Sequence, residues 1–258
     1  MRRLVIAGLA LLLVPAVALA GKMVTEGTNT LKIKAKFDPA KASKSKNKLR
    51  PTETKFDYVA GTTDGSRLPE LRALVVYLGG TRFGFNAFPA CDESDAADQG
   101  DSVCPDGSLM GDGTGVAEVH PDPDDPSQDS DLDVDVKVYN GSLDTDANGD
   151  PMDPRAGLLL YTEVAGTPVA FPFWGERRGK QVALRGPQDD PDPGVDSLFS
   201  IKEIHLTIDR RSVGRNGKRT PFVGLPTKCE GKWTVTAKSV PYNGDALTAK
   251  HKVRCTEA

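Results

Sequence analysis

The stretch Asp131-Leu132-Asp133-Val134-Asp135-Val136-Lys137-Val138 decides the fold class. Leu132, Val134, Val136 and Val138 point one way, and Asp131, Asp133, Asp135 and Lys137 the other. Strict alternation of this kind is the mark of a strand with one face buried and one in water. The same period recurs along the chain. Leu31, Ile33, Ala35 and Phe37 oppose Lys32, Lys34 and Lys36. Ile204, Leu206 and Ile208 oppose Glu203, His205, Thr207 and Asp209. Trp233, Val235 and Ala237 oppose Thr234, Thr236 and Lys238, and Leu247, Ala249 and Val253 oppose Lys250, Lys252 and Arg254. Further strands are expected over 55–60, 72–78, 82–88, 115–120, 157–164, 168–174 and 181–185. No segment sustains a 3.6-residue period. About a dozen short strands divided by Gly-, Pro- and Asp-rich loops imply an all-β chain. The layout expected is an antiparallel β-sandwich, with a jelly-roll-like variant among the arrangements open to it, and long acidic loops.

The N-terminus carries a different signal. Met1-Arg2-Arg3 is a basic head, Leu4 to Val17 is apolar and uncharged, and Ala18-Leu19-Ala20 is a small-x-small site followed by Gly21. This is the pattern of a secretory signal peptide, and the apolar run is too short to span a membrane as a helix. The organisation expected is a leader over residues 1–20, a loose mature N-terminus over 21–28, and one β-sandwich domain over 29–258. No later apolar stretch is long enough for a membrane span. The expected localisation is secreted, outside the cell or at its surface.

Composition narrows the function classes. Of 258 residues, 26 are Gly and 19 Pro, and the hydrophobic fraction is 38%, which suits a loop-rich domain. A net charge of −3 hides a strong asymmetry. Residues 91–153 are crowded with Asp and Glu and contain one base, Lys137. Residues 32–55 and 202–254 are basic. The basic flanks lack interleaved aromatics, so nucleic acid is not an expected partner. The partner is otherwise left open, with a glycan or a protein ligand among the candidates.

An oxidising destination turns the 4 cysteines into disulfide candidates. Of the three pairings, nearest neighbours are expected: Cys91 with Cys104 around a small acidic loop, and Cys229 with Cys255 across the final hairpin. Tyr242-Asn243-Gly244-Asp245 lies midway between the second pair and is a hairpin turn signal. A metal or redox site is not implied, because no Cys-x-x-Cys occurs.

Asp144-Thr145-Asp146-Ala147-Asn148-Gly149-Asp150 matches the opening of a calcium loop, D-x-D-x-N-G, and makes Asp144, Asp146, Asn148 and Asp150 the candidate ligands for Ca²⁺. Position twelve of that loop is Arg155 rather than a bidentate Glu, and no flanking helices are expected, so a plain acidic turn is the simpler reading. Asp131, Asp133 and Asp135 are about 7 Å apart along one strand face, within the range of a glycosidase carboxylate pair. They more naturally display a polar face to water, or pair across strands with Lys32, Lys34 and Lys36. His120 precedes Pro-Asp-Pro, His205 sits on a polar face and His251 shares the inward parity of Ala249. Trp233 is expected in the core, and Trp174 is left open between core and sugar platform. Asn140-Gly141-Ser142 is a formal glycosylation sequon, with a strand-end turn the simpler reading. No H-E-x-x-H, G-x-S-x-G, P-loop or dinucleotide fingerprint occurs, and no catalytic residue is singled out.

Phe88-Pro89-x-Cys91, then Cys104-Pro105-x-x-Ser108-x-x-Gly111-x-Gly113, resembles a pattern in uncharacterised exported proteins of actinobacteria. Cys229, Trp233, Tyr242-Asn243-Gly244 and Cys255 extend it. The resemblance spans about residues 31–255 and implies fold and export, with no activity to carry over. The first expectation is therefore a secreted, non-catalytic sandwich with a binding or structural role. The alternatives are a secreted hydrolase using paired carboxylates on glycans, and a calcium-dependent adhesion module.

Overall fold

The computed structural model describes residues 21–44, 50–122, 125–145, 151–164, 167–178, 181–185, 199–213, 219–242 and 245–258. The expected leader, residues 1–20, lies outside them. In chain order the elements are β1 (Val24–Glu26), β2 (Asn29–Asp38), β3 (Glu53–Thr62), β4 (Leu71–Leu78), β5 (Arg82–Phe83), β6 (Cys91–Asp92), α1 (Glu93–Gln99), β7 (Leu109–Val119), β8 (Ser130–Thr145) and β9 (Pro151–Val164). They continue with β10 (Thr167–Arg178), β11 (Gln181–Arg185), β12 (Phe199–Ile208), β13 (Arg211–Val213), β14 (Arg219–Pro221), β15 (Val223–Gly224), β16 (Lys232–Pro241) and β17 (Leu247–Arg254). The chain is an antiparallel all-β sandwich, as the alternation predicts.

One sheet carries most of it, in the order β1-β2-β3-β12-β7-β8-β9-β10-β11-β4-β16-β17, with short β6 lying parallel beside β8. The run β7 to β11 is a meander of consecutive hairpins. The sheet folds back until its two ends meet. Ala42 N–H donates to the Thr256 carbonyl at 2.9 Å and Thr256 N–H to the Ala40 carbonyl at 3.0 Å, a parallel bridge that joins the ends of β2 and β17. Further along this seam sits Gly21, which is buried; a Cβ there would stand 1.8 Å from the Ile33 carbonyl oxygen and 3.6 Å from His251 Nδ1. Within residues 21–28, expected as a loose start, Gly21 is buried and Val24–Glu26 form β1. β1 pairs with β2 from Val24↔Leu31 to Glu26↔Asn29, because the open flank of β2 supplies a ladder of backbone partners.

Inward positions from both halves of the folded sheet make one core. β2 gives Leu31, Ile33, Ala35 and Phe37, β4 gives Leu74, Val76 and Leu78, and β16 and β17 give Trp233, Val235, Leu247 and Val253. β17 alternates buried and exposed at every residue. Burying each Leu or Val side chain of this kind contributes about 1.5–3 kcal/mol. The β7–β12 pair has another device. Gly113 faces inward where the β12 backbone passes so closely that a Cβ would lie 1.8 Å from the His205 carbonyl oxygen, so only glycine fits.

A second, smaller core lies on the outside of the sheet. Cys91, Ala96, Tyr139, Leu143, Leu159 and Tyr161 pack together beneath α1. Asp92 caps α1 by accepting from the Asp95 N–H. The expected strand over 82–88 is only β5 followed by a turn of 3-10 helix at Phe85–Ala87. Its aromatics explain the difference: Phe83, Phe85 and Phe88 turn in around Phe222, with ring centroids 5.4–5.7 Å from it.

Candidate functional site

Polar side chains that are scattered in sequence meet at one end of β7, β8 and β12. The ladder sets Ser200 opposite Glu118, and Glu118 opposite Asp131. A bulge between Ile201 and Glu203 leaves Lys202 as the extra residue of β12. Its ammonium group reaches Asp131 Oδ1 at 2.9 Å and Glu118 Oε1 at 3.4 Å. His120 follows β7 directly, Asp129 precedes β8 directly, and Arg67-Leu68, ahead of β4, closes over the group.

Arg67 grips Asp129 with a two-pronged guanidinium contact, Nε to Oδ2 at 2.7 Å and Nη2 to Oδ1 at 2.7 Å, and Nη2 also donates to the Asp122 carbonyl at 3.0 Å. This fork holds the Asp129 carboxyl below the usual carboxylate range. The bond to Asp131 raises Lys202. Leu68 N–H donates to Glu118 Oε2 at 3.0 Å. His120 Nε2 lies 3.1 Å from Ser200 Oγ, and Ser200 Oγ donates to the Leu68 carbonyl at 3.0 Å. His120 Nδ1 comes within 3.3 Å of Asp129 Oδ1 but makes no hydrogen bond.

Two chemistries are conceivable for this group. Ser200, His120 and Asp129 follow each other at the spacing of an acyl-transfer triad. The proton direction is reversed, however. The serine proton goes to the Leu68 carbonyl, so the imidazole Nε2 donates to Ser200 rather than accepting from it. Ser200 and His120 are also 2% and 3% exposed, shut beneath the Arg67-Leu68 segment. Glu118, His120 and Asp129 alternatively offer three ligand atoms within 4.8 Å of one another, a donor set suited to a divalent ion. Here the carboxylates are already engaged by Arg67, Lys202 and the Leu68 amide, and an ion would have to displace the Arg67 fork. The arrangement is a clasp that pins the connection before β4 onto the sheet.

The disulfides form as the sequence predicts, Cys91–Cys104 with Cα atoms 4.7 Å apart and Cys229–Cys255 at 5.9 Å. β16 and β17 run in register from Lys232↔Arg254 to Ser239↔Leu247; Asn243 and Gly244 of the expected turn lie outside the described residues. Of the calcium candidates, Asp146, Asn148 and Asp150 lie outside the described residues, and Asp144 is placed only as backbone, in β8. Asp131, Asp133 and Asp135 are exposed, as expected. Their expected pairing with Lys32, Lys34 and Lys36 does not occur: β3, β12 and β7 stand between β2 and β8. Complementary patterns meet only where topology makes their strands neighbours.

Trp233 is in the core, edge-on to Phe37 at 5.9 Å with its indole N–H on the Lys228 carbonyl. Trp174 is placed in β10 by its backbone alone. His251 faces inward at 6% exposure, and burial there pulls its pKa down. His205 is raised by its contact with Asp57, with Glu203 adding to it. Asn140 of the sequon is 2% exposed, and its amide donates to the carbonyls of Phe85, Phe88 and Pro89 at 2.9–3.2 Å. It is an internal anchor rather than a glycan acceptor.

Arg67, Glu118, Asp129 and Ser200 escape a reading of the sequence. One local trace exists: Ile201 and Ile204 are three residues apart where the pattern demands two, the slip that marks the bulge. No family model matches this chain, and comparison with curated proteins and with solved structures returns no match.

Proposed function

We propose that this chain is an exported, non-catalytic β-sandwich with a binding or structural role at or outside the cell surface. The observation that carries the reading is the closed clasp. The most enzyme-like group of side chains among the described residues spends its serine, carboxylates and cations on one another. The two disulfides support an oxidising destination, and the leader pattern and the likeness to exported actinobacterial chains point the same way. No helix among the described residues is long and apolar enough to cross a membrane. Asp131 is tied to Lys202, which speaks for a salt-bridged display rather than a hydrolase carboxylate pair.

The test is expression with the native N-terminus and recovery from the medium. The expected product begins at Gly21 and gives the Cys91–Cys104 and Cys229–Cys255 peptides in a non-reduced digest. Retention in the cytoplasm with free thiols would refute export. A fluorophosphonate probe should leave Ser200 unlabelled, whereas labelling would restore the hydrolase. Calcium should leave the melting temperature unchanged, and a rise would favour the adhesion module.

A further inference from the structure

Outward side chains divide the sandwich into two faces of opposite charge. β16, β17, β2 and β3 are neighbours around the closed sheet, and Lys34, Lys36, Lys238, Lys250, Lys252 and Arg254 stand exposed on their outer side. Asp38 answers Lys36 at 3.1 Å, and Glu53 answers Lys55 at 3.3 Å. Among the described residues, Lys34, Lys238, Lys250, Lys252 and Arg254 have no acidic partner.

The acidic strip lies elsewhere. β3, β12 and β7 separate β8 from β2 on one side, and β9, β10, β11, β4 and β16 separate it from β17 on the other. In a closed sheet, that places β8 across the sandwich from the β17–β2 seam. Its outer positions are Asp131, Asp133, Asp135 and Lys137, with Asp112 beside them on β7, all exposed; Lys137, opposite Asp112 in the ladder, is engaged by Asp101 and leaves the strip acidic. Lys202 occupies Asp131. Asp112, Asp133 and Asp135 have no cationic partner among the described residues.

The two strips match in spacing as well as sign. Each repeats every second residue, about 7 Å along the strand, and facing sheets sit about 10 Å apart, a gap that a long lysine and a short aspartate fill end to end. The complementarity that topology denies within one molecule is available between two.

We infer that the β17–β2 face of one molecule docks on the β7–β8 face of a second copy. The two surfaces differ, so the contact is head-to-tail. Each added molecule presents a fresh face, and association builds open stacks rather than a closed dimer. This inference stands apart from the export reading and fails or survives independently of it.

The experiment is sedimentation of the oxidised protein across a concentration series, at about 0.01 M and about 1 M salt, where the screening length falls from about 30 Å to about 3 Å. The expected result is a mass that climbs with concentration at low salt and returns to the monomer at high salt. Two variants remove one face each: Asp133→Asn with Asp135→Asn, and Lys34→Gln with Lys250→Gln and Lys252→Gln. Each should weaken association about tenfold or more with the melting temperature unchanged. Each also keeps the face that the other lacks, so a mixture should yield a two-molecule species. Three outcomes would overturn the inference: a monomer at every concentration in low salt, association that survives high salt, or an aspartate variant that stacks as well as the parent. If polyphosphate binds the parent and not the lysine variant while the protein stays monomeric, the basic face serves a polyanion and not a second copy.

Discussion

The C-terminal hairpin and the segment between Cys91 and Cys104 each close around one disulfide, but different forces hold them. In the hairpin, β17 buries every second residue and β16 sends Trp233, Val235 and Ala237 into the main core, so the cross-link braces strands that packing already aligns. The Cys91–Cys104 segment has no such alternation. It carries the seven-residue helix α1, whose buried residues are Glu93 and Ala96, on a small outer cluster. A helix that short does not hold itself together in water. Its order rests on the Asp92 cap, the cross-link and the outer cluster. Covalent bonds of the same kind thus reinforce one region and define the other.

The largest test of that contrast removes packing from the hairpin. Trp233→Ala should cost about 3–5 kcal/mol, read as a fall in the urea midpoint, because it opens a cavity against Phe37 and frees the Lys228 carbonyl. A loss below 1 kcal/mol would mean that the disulfide rather than the core holds the hairpin.

Replacing a cysteine pair by serine comes next. The 26-residue and 13-residue separations predict similar losses, about 3.5 and 3 kcal/mol in the chain-entropy account. Their footprints should differ. Without Cys91–Cys104, amide exchange in α1 should approach the open-chain rate while β16 and β17 stay protected. Without Cys229–Cys255, protection should fall across the sheet. Uniform loss in both variants would erase the distinction.

The smallest effect is on pH. His251, inward on β17, has a depressed pKa, so its neutral form belongs to the folded state. The stability it permits is present above the unfolded imidazole value near 6.5 and is lost as pH falls through it. His205, outside on β12 between Asp57 and Glu203, is raised. Its contribution is complete below the unfolded value and disappears as pH rises through the folded one. His251→Gln should therefore flatten the acid limb of the stability profile and His205→Gln the neutral limb, the latter weakly because the ring is 43% exposed. The same limb flattening in both would reverse the assignment of inside and outside.

These regions also mark how far the residues alone reach. Strands with strict alternation, such as Leu247 to Val253, are visible because water and core select opposite side chains at every step. The Cys229–Cys255 pairing follows from that register. α1 is not visible: Glu-Ser-Asp-Ala-Ala-Asp-Gln has a single buried alanine and no apolar stripe. β7 begins earlier than expected because Gly111 and Gly113 take inward positions where a hydrophobic residue would have declared the face. The clasp is illegible for another reason. Arg67, His120, Asp129 and Ser200 come from four separate stretches, and only strand order, which alternation does not encode, makes them neighbours.

The joined ends of the main sheet carry one more consequence. An open sheet offers its rim as a template, and neighbouring chains that add to it as extra strands form aggregates that dilution and salt do not undo. Here β2 and β17 face each other across the seam, with β1 laid along it. The Lys41↔Thr256 bridge and the short β1 take up part of that rim within the molecule, which disfavours growth by added strands and leaves the charged sides, whose contacts salt can undo, as the surfaces for assembly.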